Sequence, residues 1–587
     1  MARIIPFGFA SLVTRPDSRT DAPRVRILSD IVVVAGIVAL FGAVSYLLPG
    51  VRAAIGPAGI PSTVSTDLSN LPYYAMRSVL RMFAALAFSL VFTFIYGLAA
   101  ARSRRARVIL VPLLDILQSV PILGFLSATV TVWLALFPGS ILGVEAASVF
   151  AIFTSQAWNM TFSFYQSLMS EPVEMVEMAR SMRLTRWQRF WKIDVPCSMI
   201  PLLWNCMMSV GGGWFFLTAS EMISVNNRVM ALPGIGSFVA VAAEHQEMGK
   251  ILAAIGAMVI VVLAIDFLLW KPLTAWAEKF RITQGDSVEE KRSAVLTLLR
   301  RSHVPEALGC ILRPVGEALG RAMRVLGVTG GSFATATRSR RAGDIAQGTV
   351  IALVCVFGVA RFAGLVMNVA GPAELGHALL LGCFTFVRVA LLTLVCSVIW
   401  VPVGVLIGLN ERLARILQPI VQVLASFPAN FTFPFVVMAF AAARVDLNVG
   451  SVALMALGTQ WYILFNVIAG ASAIPDDMRE LARSMRMPTW QRWIRIYLPA
   501  VMSAWCTGGI TAAGGAWNAS IVSEVVAYGS TTLTATGLGS YIAAATAAGD
   551  MPRTVIGVAV MALFVVAVNR LFWRPLQRFA ERRFAMS

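Results

Sequence analysis

The chain has 587 residues, 58% of them hydrophobic and only 13% charged, with a formal net charge of +18. Such a composition excludes an ordinary soluble domain and places the chain among polytopic membrane proteins. The positive charge, which in a soluble protein would suggest nucleic acid, falls between apolar runs, where cytoplasmic loops collect Lys and Arg. Nucleic acid is therefore not an expected partner, and membrane lipid is.

The first 30 residues are too polar, and their apolar run begins too late, for a cleaved signal peptide, so the run at 31–48 is expected to stay as an anchor. Arg15, Arg19, Arg24 and Arg26 precede it, Arg102, Arg104, Arg105 and Arg107 follow the next run at 79–100, and the stretch 138–146 has neither Lys nor Arg. By the positive-inside rule the N-terminus is cytoplasmic. Further clear runs lie at 251–269, 389–409 and 555–568, the last needing its flanks to reach the roughly 20 residues that cross a bilayer. The remaining runs are interrupted by Pro, Gly, Asn and Gln, which is tolerated where a helix faces protein or a water-filled cavity. We read an all-α polytopic protein of about twelve spans: a first half at 1–279, a cytoplasmic linker at 280–343 with one or two short amphipathic helices, and a second half at 344–587.

The halves are copies. Residues 174–272 match 477–575 without a gap, 303 positions apart, and the most similar stretch is polar: EMARSMR from Glu177 and WQRFWKIDVP from Trp187 against ELARSMR from Glu480 and WQRWIRIYLP from Trp490. Upstream, Arg81, Pro112 and Ser119-Val120-Pro121 match Arg388, Pro419 and Ser426-Phe427-Pro428, with four fewer residues in the second copy after the third span. An even number of crossings in each half makes the repeats parallel, related by an axis along the membrane normal.

Within the repeated stretch, Pro172 with Glu174 and Glu177 suits a helix N-terminus. Thr185, and Pro488 in the other copy, suits the start of a second short helix at 187–193, after which a proline leads back into the membrane. A polar sequence kept twice in an apolar chain points to two identical partners; an amphipathic loop lying on the inner membrane face is the alternative. The pattern Glu-x-Ala, three residues, a turn position, then Val-Pro or Leu-Pro about a dozen residues on resembles the EAA motif of permease subunits of bacterial ABC importers. GGWFFLTASEMI and GAWNASIVSEVV, which follow it, look most like the nitrate, sulfonate and taurine branch.

The resemblance implies two fused permease halves of type I importer fold in a bacterial inner membrane, moving a small solute inward, with no catalytic residue and no cofactor. It implies two separate ABC ATPase subunits docked on coupling helices near 174–196 and 477–499. The residues carried over are Glu177, Ala179, Arg183, Trp187 and Pro196 in the first half, and Glu480, Ala482, Arg486, Trp490 and Pro499 in the second. It further implies a periplasmic solute-binding protein and an anion such as nitrate, a sulfonate, taurine or bicarbonate. Arg183 and Arg486 depart from the family, whose turn position is usually glycine; a residue with a Cβ does not take positive φ cheaply.

Ionisable groups within spans are functional candidates by default. Arg81 and Arg388, and Glu221 and Glu524, stand at matching positions, either as Arg–Glu braces between helices or as groups shaping an anion path. Trp214, Trp517 and Asn518, which follow or border the glycine runs 211–213 and 514–515, are candidates for lining the translocation path, although those glycines also suit close helix packing. The triplets Gly234-Ile235-Gly236 and Gly537-Leu538-Gly539 are not read as phosphate loops, since they follow no predicted strand and no GxxxxGK[ST] occurs. Seven cysteines without a CxxC pair and three scattered histidines give no metal site. The rival reading is an ion-coupled secondary transporter with six-plus-six helices, in which Glu221 and Glu524 would couple the ion.

Overall fold

The computed structural model describes residues 23–51, 63–118, 122–182, 184–225, 228–280, 293–305, 356–367, 371–528 and 531–584, with single positions between 306 and 355. Helix dominates, as it must where apolar runs meet lipid and the backbone has to bond within itself. The first half comprises α1 (Pro23–Val51), α2 (Leu71–Arg102), α3 (Arg104–Leu117), α4 (Ile122–Leu136), α5 (Leu142–Met169), α6 (Val173–Ser181) and α7 (Arg186–Ser220). A hairpin, β1 (Met222–Val225) with β2 (Arg228–Ala231), then precedes α8 (Ile235–Glu244) and α9 (Met248–Phe280). After α10 (Ala294–Arg301), the second half repeats this order: α11 (Pro372–Gly408), α12 (Glu411–Ser426), α13 (Phe433–Ala443), α14 (Leu447–Ser472), α15 (Asp476–Ser484), α16 (Thr489–Ser523), a hairpin of β3 (Val525–Tyr528) and β4 (Thr531–Thr534), α17 (Leu538–Ala548) and α18 (Met551–Ala580).

Among the described residues eight helices are long and apolar enough to cross a membrane, and α12 with the helix that follows makes a bent ninth candidate. The twelve expected from sequence include segments that are shorter, bent or more polar. α5 has 28 residues, length enough, but carries Thr154, Gln156 and Asn159. Most of the predicted linker lies outside the described residues. Its one regular described piece, α10, buries Leu296, and beyond it Ser302 Oγ and the His303 N–H each donate to Asp30 Oδ1 of α1 at 2.7 Å.

Four helices share a device the sequence reading missed. In α7, α9, α16 and α18 a π-turn closes on the residue just before a proline: the N–H groups of Val195, Lys271, Leu498 and Arg574 bond the carbonyls of Phe190, Asp266, Trp493 and Asn569, five residues back. A proline ring clashes with the carbonyl four residues earlier, and widening the helix by one residue relieves the clash without breaking the rod. The second short helix of each repeated stretch is therefore not separate, as 187–193 was expected to be. It is the first turn of a continuous 35-residue helix that enters the membrane through Pro196 or Pro499.

The halves are interlaced. Ile122, Leu126 and Val130 of α4 share a buried cluster with Leu392, Trp517, Ile542 and Val560 of the second half, while Phe431, just beyond α12, is buried among Met82, Trp214 and Ile251 of the first. Two hydrogen bonds seal this exchange: Ile122 N–H to Asn518 Oδ1 at 2.8 Å, and Asn430 Nδ2 to Thr218 Oγ1 at 2.6 Å.

Candidate functional site

The repeated polar stretch folds as two short exposed helices, α6 and α15, at one end of the molecule. In each, the motif alanine faces inward: Ala179 is 4% exposed and Ala482 1%. Glu177 and Glu480 point to solvent. Both helices close alike, with Leu184 N–H to Ala179 O at 3.1 Å and Met487 N–H to Ala482 O at 3.2 Å, the six-to-one bond of a Schellman turn. That turn needs a left-handed residue, and Arg486 supplies it at φ 48°. Arginine thus adopts the conformation for which glycine is the usual choice; Arg183 itself lies outside the described residues. Arg486→Gly should therefore raise stability by about 1 kcal/mol, read as an upward shift in thermal unfolding.

Entry into the next helix also follows the sequence reading, with a difference between halves. Thr185 accepts the Gln188 N–H at 3.2 Å and Gln188 Oε1 accepts the Thr185 N–H at 3.1 Å, a complete capping box. Pro488 occupies the same place at ψ 152° with no side-chain bond. Thr185→Ala is expected to cost about 1 kcal/mol locally, seen as faster hydrogen exchange at the Gln188 amide. Trp187 is partly buried against Phe190 and Trp191, whereas Trp490 is 65% exposed.

Beneath α6 sits an ionic cluster that the second half lacks. Arg102 bonds Asp194 at 2.5 Å and Glu171 at 3.2 Å, and Arg189 bonds Glu171 at 2.9 Å and Asp194 at 3.3 Å. Burial pushes the Glu171 carboxyl above its ordinary range; Arg102 opposes the rise and Asp194 adds to it. The corresponding positions are Leu409, Ile474, Arg492 and Tyr497, so α15 rests on a mostly apolar seat.

At the opposite end stand the matched ionisable pairs. Arg81 bonds Glu221 at 2.7 Å and Glu145 at 2.5 Å, Arg77 bonds Glu145 as well, and all four side chains are at most 4% exposed. In the second half Arg388 bonds Glu524 at 2.9 Å and Asn448 Oδ1 at 2.7 Å. The two glycine triplets find their role here. Gly236 N–H donates to Glu221 at 2.6 Å, Ser540 N–H to Glu524 at 3.1 Å, and a Cβ at Gly234 or Gly537 would overlap the carboxylate. Each carboxylate thus occupies the N-terminus of α8 or α17. Contrary to the sequence reading, both triplets do follow a short hairpin; the hairpin turns the chain back over the acid.

Between the two ends lies a cleft in two lobes at the junction of the halves, of about 320 and 380 Å³. One is walled by α7, α12 and α14, the other by α5, α16 and α18. Asn205 and Tyr462 line both. The lining reaches Gln166, Ala469 and Gln577, so the cleft opens toward the end that carries α6 and α15. A Cβ at Gly212 would overlap the Tyr462 hydroxyl, which gives that glycine its packing role. Of the residues proposed for the path, Trp517 and Asn518 line a lobe, Trp214 borders only a small separate recess, and Arg81, Arg388, Glu221 and Glu524 line neither lobe. Asn205 and Tyr462 were not singled out from sequence; the only signal was that polar residues interrupt their spans.

Two interlaced copies of one helical body, each with an exposed helix on the same face of a shared cleft, define a duplicated multi-pass membrane transport protein. The chain belongs to the family of binding-protein-dependent transport system inner membrane components, whose model matches it twice, at 93–269 and 400–585, together more than half its length. It is a transport permease rather than an enzyme. It is 30% identical over 135 residues to the bicarbonate transport system permease protein of Synechococcus elongatus, covering 23% of this chain and 47% of that one. It is 26% identical over 184 residues to the nitrate import permease protein of Leptolyngbya laminosa, covering 31% and 62%. It is 25% identical over 224 residues to the taurine transport system permease protein of Escherichia coli, covering 38% and 74%. The chain thus spans about half the length of several of the curated relatives it matches.

Proposed function

We propose that the chain is the transmembrane subunit of an ATP-driven importer, with α6 and α15 as coupling helices for two separate ABC ATPase subunits and a periplasmic binding protein delivering solute from the other side. The carrying observation is the pair of exposed helices with identically buried alanines and identical closures, on the face toward which the cleft opens. In this reading that face, and the N-terminus, are cytoplasmic, and the solute is a small anion or zwitterion of the kind for which the relatives are named. A secondary transporter would need free acids for ion coupling, and Glu221 and Glu524 are both held by arginines. The test is affinity purification of the chain expressed with its genomic neighbours. Retention of an ATPase at two copies per chain is expected; solute uptake in vesicles with no ATPase bound would overturn the proposal.

A further inference from the structure

We infer that the solute passing through the cleft is a zwitterion with no net charge, not an inorganic anion. The inference rests on the permease reading above and narrows its solute.

Among the described residues, none that lines either lobe is Lys, Arg, His, Asp or Glu. The sequence extends this to most of the walls, because 108–170, 193–227, 416–443, 445–478, 496–552 and 554–569 contain no Lys, Arg or His; the basic residues of the same helices, such as Arg412, Arg570, Arg574 and Arg578, fall outside these stretches and line neither lobe. The arginines buried within spans, Arg77, Arg81 and Arg388, are spent on Glu145, Glu221, Glu524 and Asn448 at the far end. Among the described residues, no fixed cation therefore lines the cleft.

The energetics follow. A net anion moved into a cavity without a fixed cation has its lost hydration offset only by neutral donors, whereas a charge partner would add charge-assisted bonds roughly twice as strong. A zwitterion needs only hydrogen bonds for its polar ends, and the walls offer these in Asn159, Gln166, Asn205 and Gln422. The rest of the surface is mostly apolar or hydroxyl-bearing, with aromatic rings among it including Trp158, Trp461 and Tyr462. Ring faces carry the negative end of the aromatic quadrupole, so they attract an ammonium or onium group, cover methylenes, and give an anion no help. Asn205 and Tyr462, shared by both lobes, are the residues such a solute must meet.

The test is thermal unfolding and equilibrium binding on the full chain in lipid nanodiscs, with any co-purified ATPase retained. The probes are three zwitterions (taurine, glycine betaine and β-alanine) against nitrate and bicarbonate at equal ionic strength. At least one zwitterion should bind saturably and raise the melting temperature, while nitrate and bicarbonate do neither. Asn205→Ala and Tyr462→Ala should each raise half-saturation tenfold or more. Asn159→Arg, which puts a cation in the wall, should create nitrate binding and weaken the zwitterion's. Saturable nitrate or bicarbonate binding to the unaltered protein, lost in Asn205→Ala, overturns the inference, and so does the absence of binding by all three zwitterions. ATPase retention in the same preparation is scored separately: its loss with zwitterion binding intact sinks the importer reading alone, and its presence with nitrate binding sinks this inference alone.

Discussion

Glu177→Lys and Glu480→Lys, each as a single substitution, are expected to weaken retention of the ATPase subunits by about tenfold, or about 1.4 kcal/mol, with the fold intact. Both carboxylates are exposed on helices whose alanines are buried, so reversing either charge changes the face offered to a partner and leaves the packing alone. The two effects need not be equal. α6 stands on the cluster of Arg102, Glu171, Arg189 and Asp194, whereas Ile474, at the place of Glu171, is 2% exposed in an apolar cluster beneath α15. The measurement is pull-down of the ATPase across a salt series beside the melting curve of each variant. Unchanged association in both variants would refute the coupling-helix assignment.

Arg81→Ala is expected to be far more damaging to the fold. It strands two carboxylates, Glu221 at 0% and Glu145 at 3% exposure, and leaves Arg77 to serve one of them. Removing one partner of a buried pair costs about 3–5 kcal/mol, because the remaining charge is uncompensated. Arg388→Ala strands only Glu524, because the other side chain Arg388 bonds, Asn448, is uncharged, so its loss should be the smaller of the two. Differential scanning calorimetry of purified protein beside an uptake assay separates the roles. A lower melting temperature at near-normal flux per folded molecule marks a brace, and lost flux at an unchanged melting temperature marks a residue of the path.

The repeated polar stretch was legible because its signals are local: a proline and acids at a helix start and an alanine in a polar helix, both present twice, and a threonine three residues before a glutamine in the first copy, where the second has Pro488. The long-range partners were not. Glu145 and Asn448 fall just after the point where the spacing between the repeats changes, so their common partnership with Arg81 and Arg388 emerges only once helices are packed. Arg77 faces Phe384 in the repeat and so gave no paired signal. The hairpins were missed because four-residue strands beside glycine and proline carry too little pattern to separate from a loop. The π-turns were missed for the opposite reason: each X-Pro was visible, and a proline ordinarily argues for a break.

That unbroken passage past the proline has a mechanical consequence. With 35 residues in a single rod, α7 and α16 are each roughly 50 Å long. A tilt of about five degrees imposed at the tip beside α6 or α15 would swing the far end through about 4 Å. Each is a lever with its handle at the end that carries α6 and α15 and its blade in a wall of the cleft, so a small stroke at the handle widens or narrows the passage.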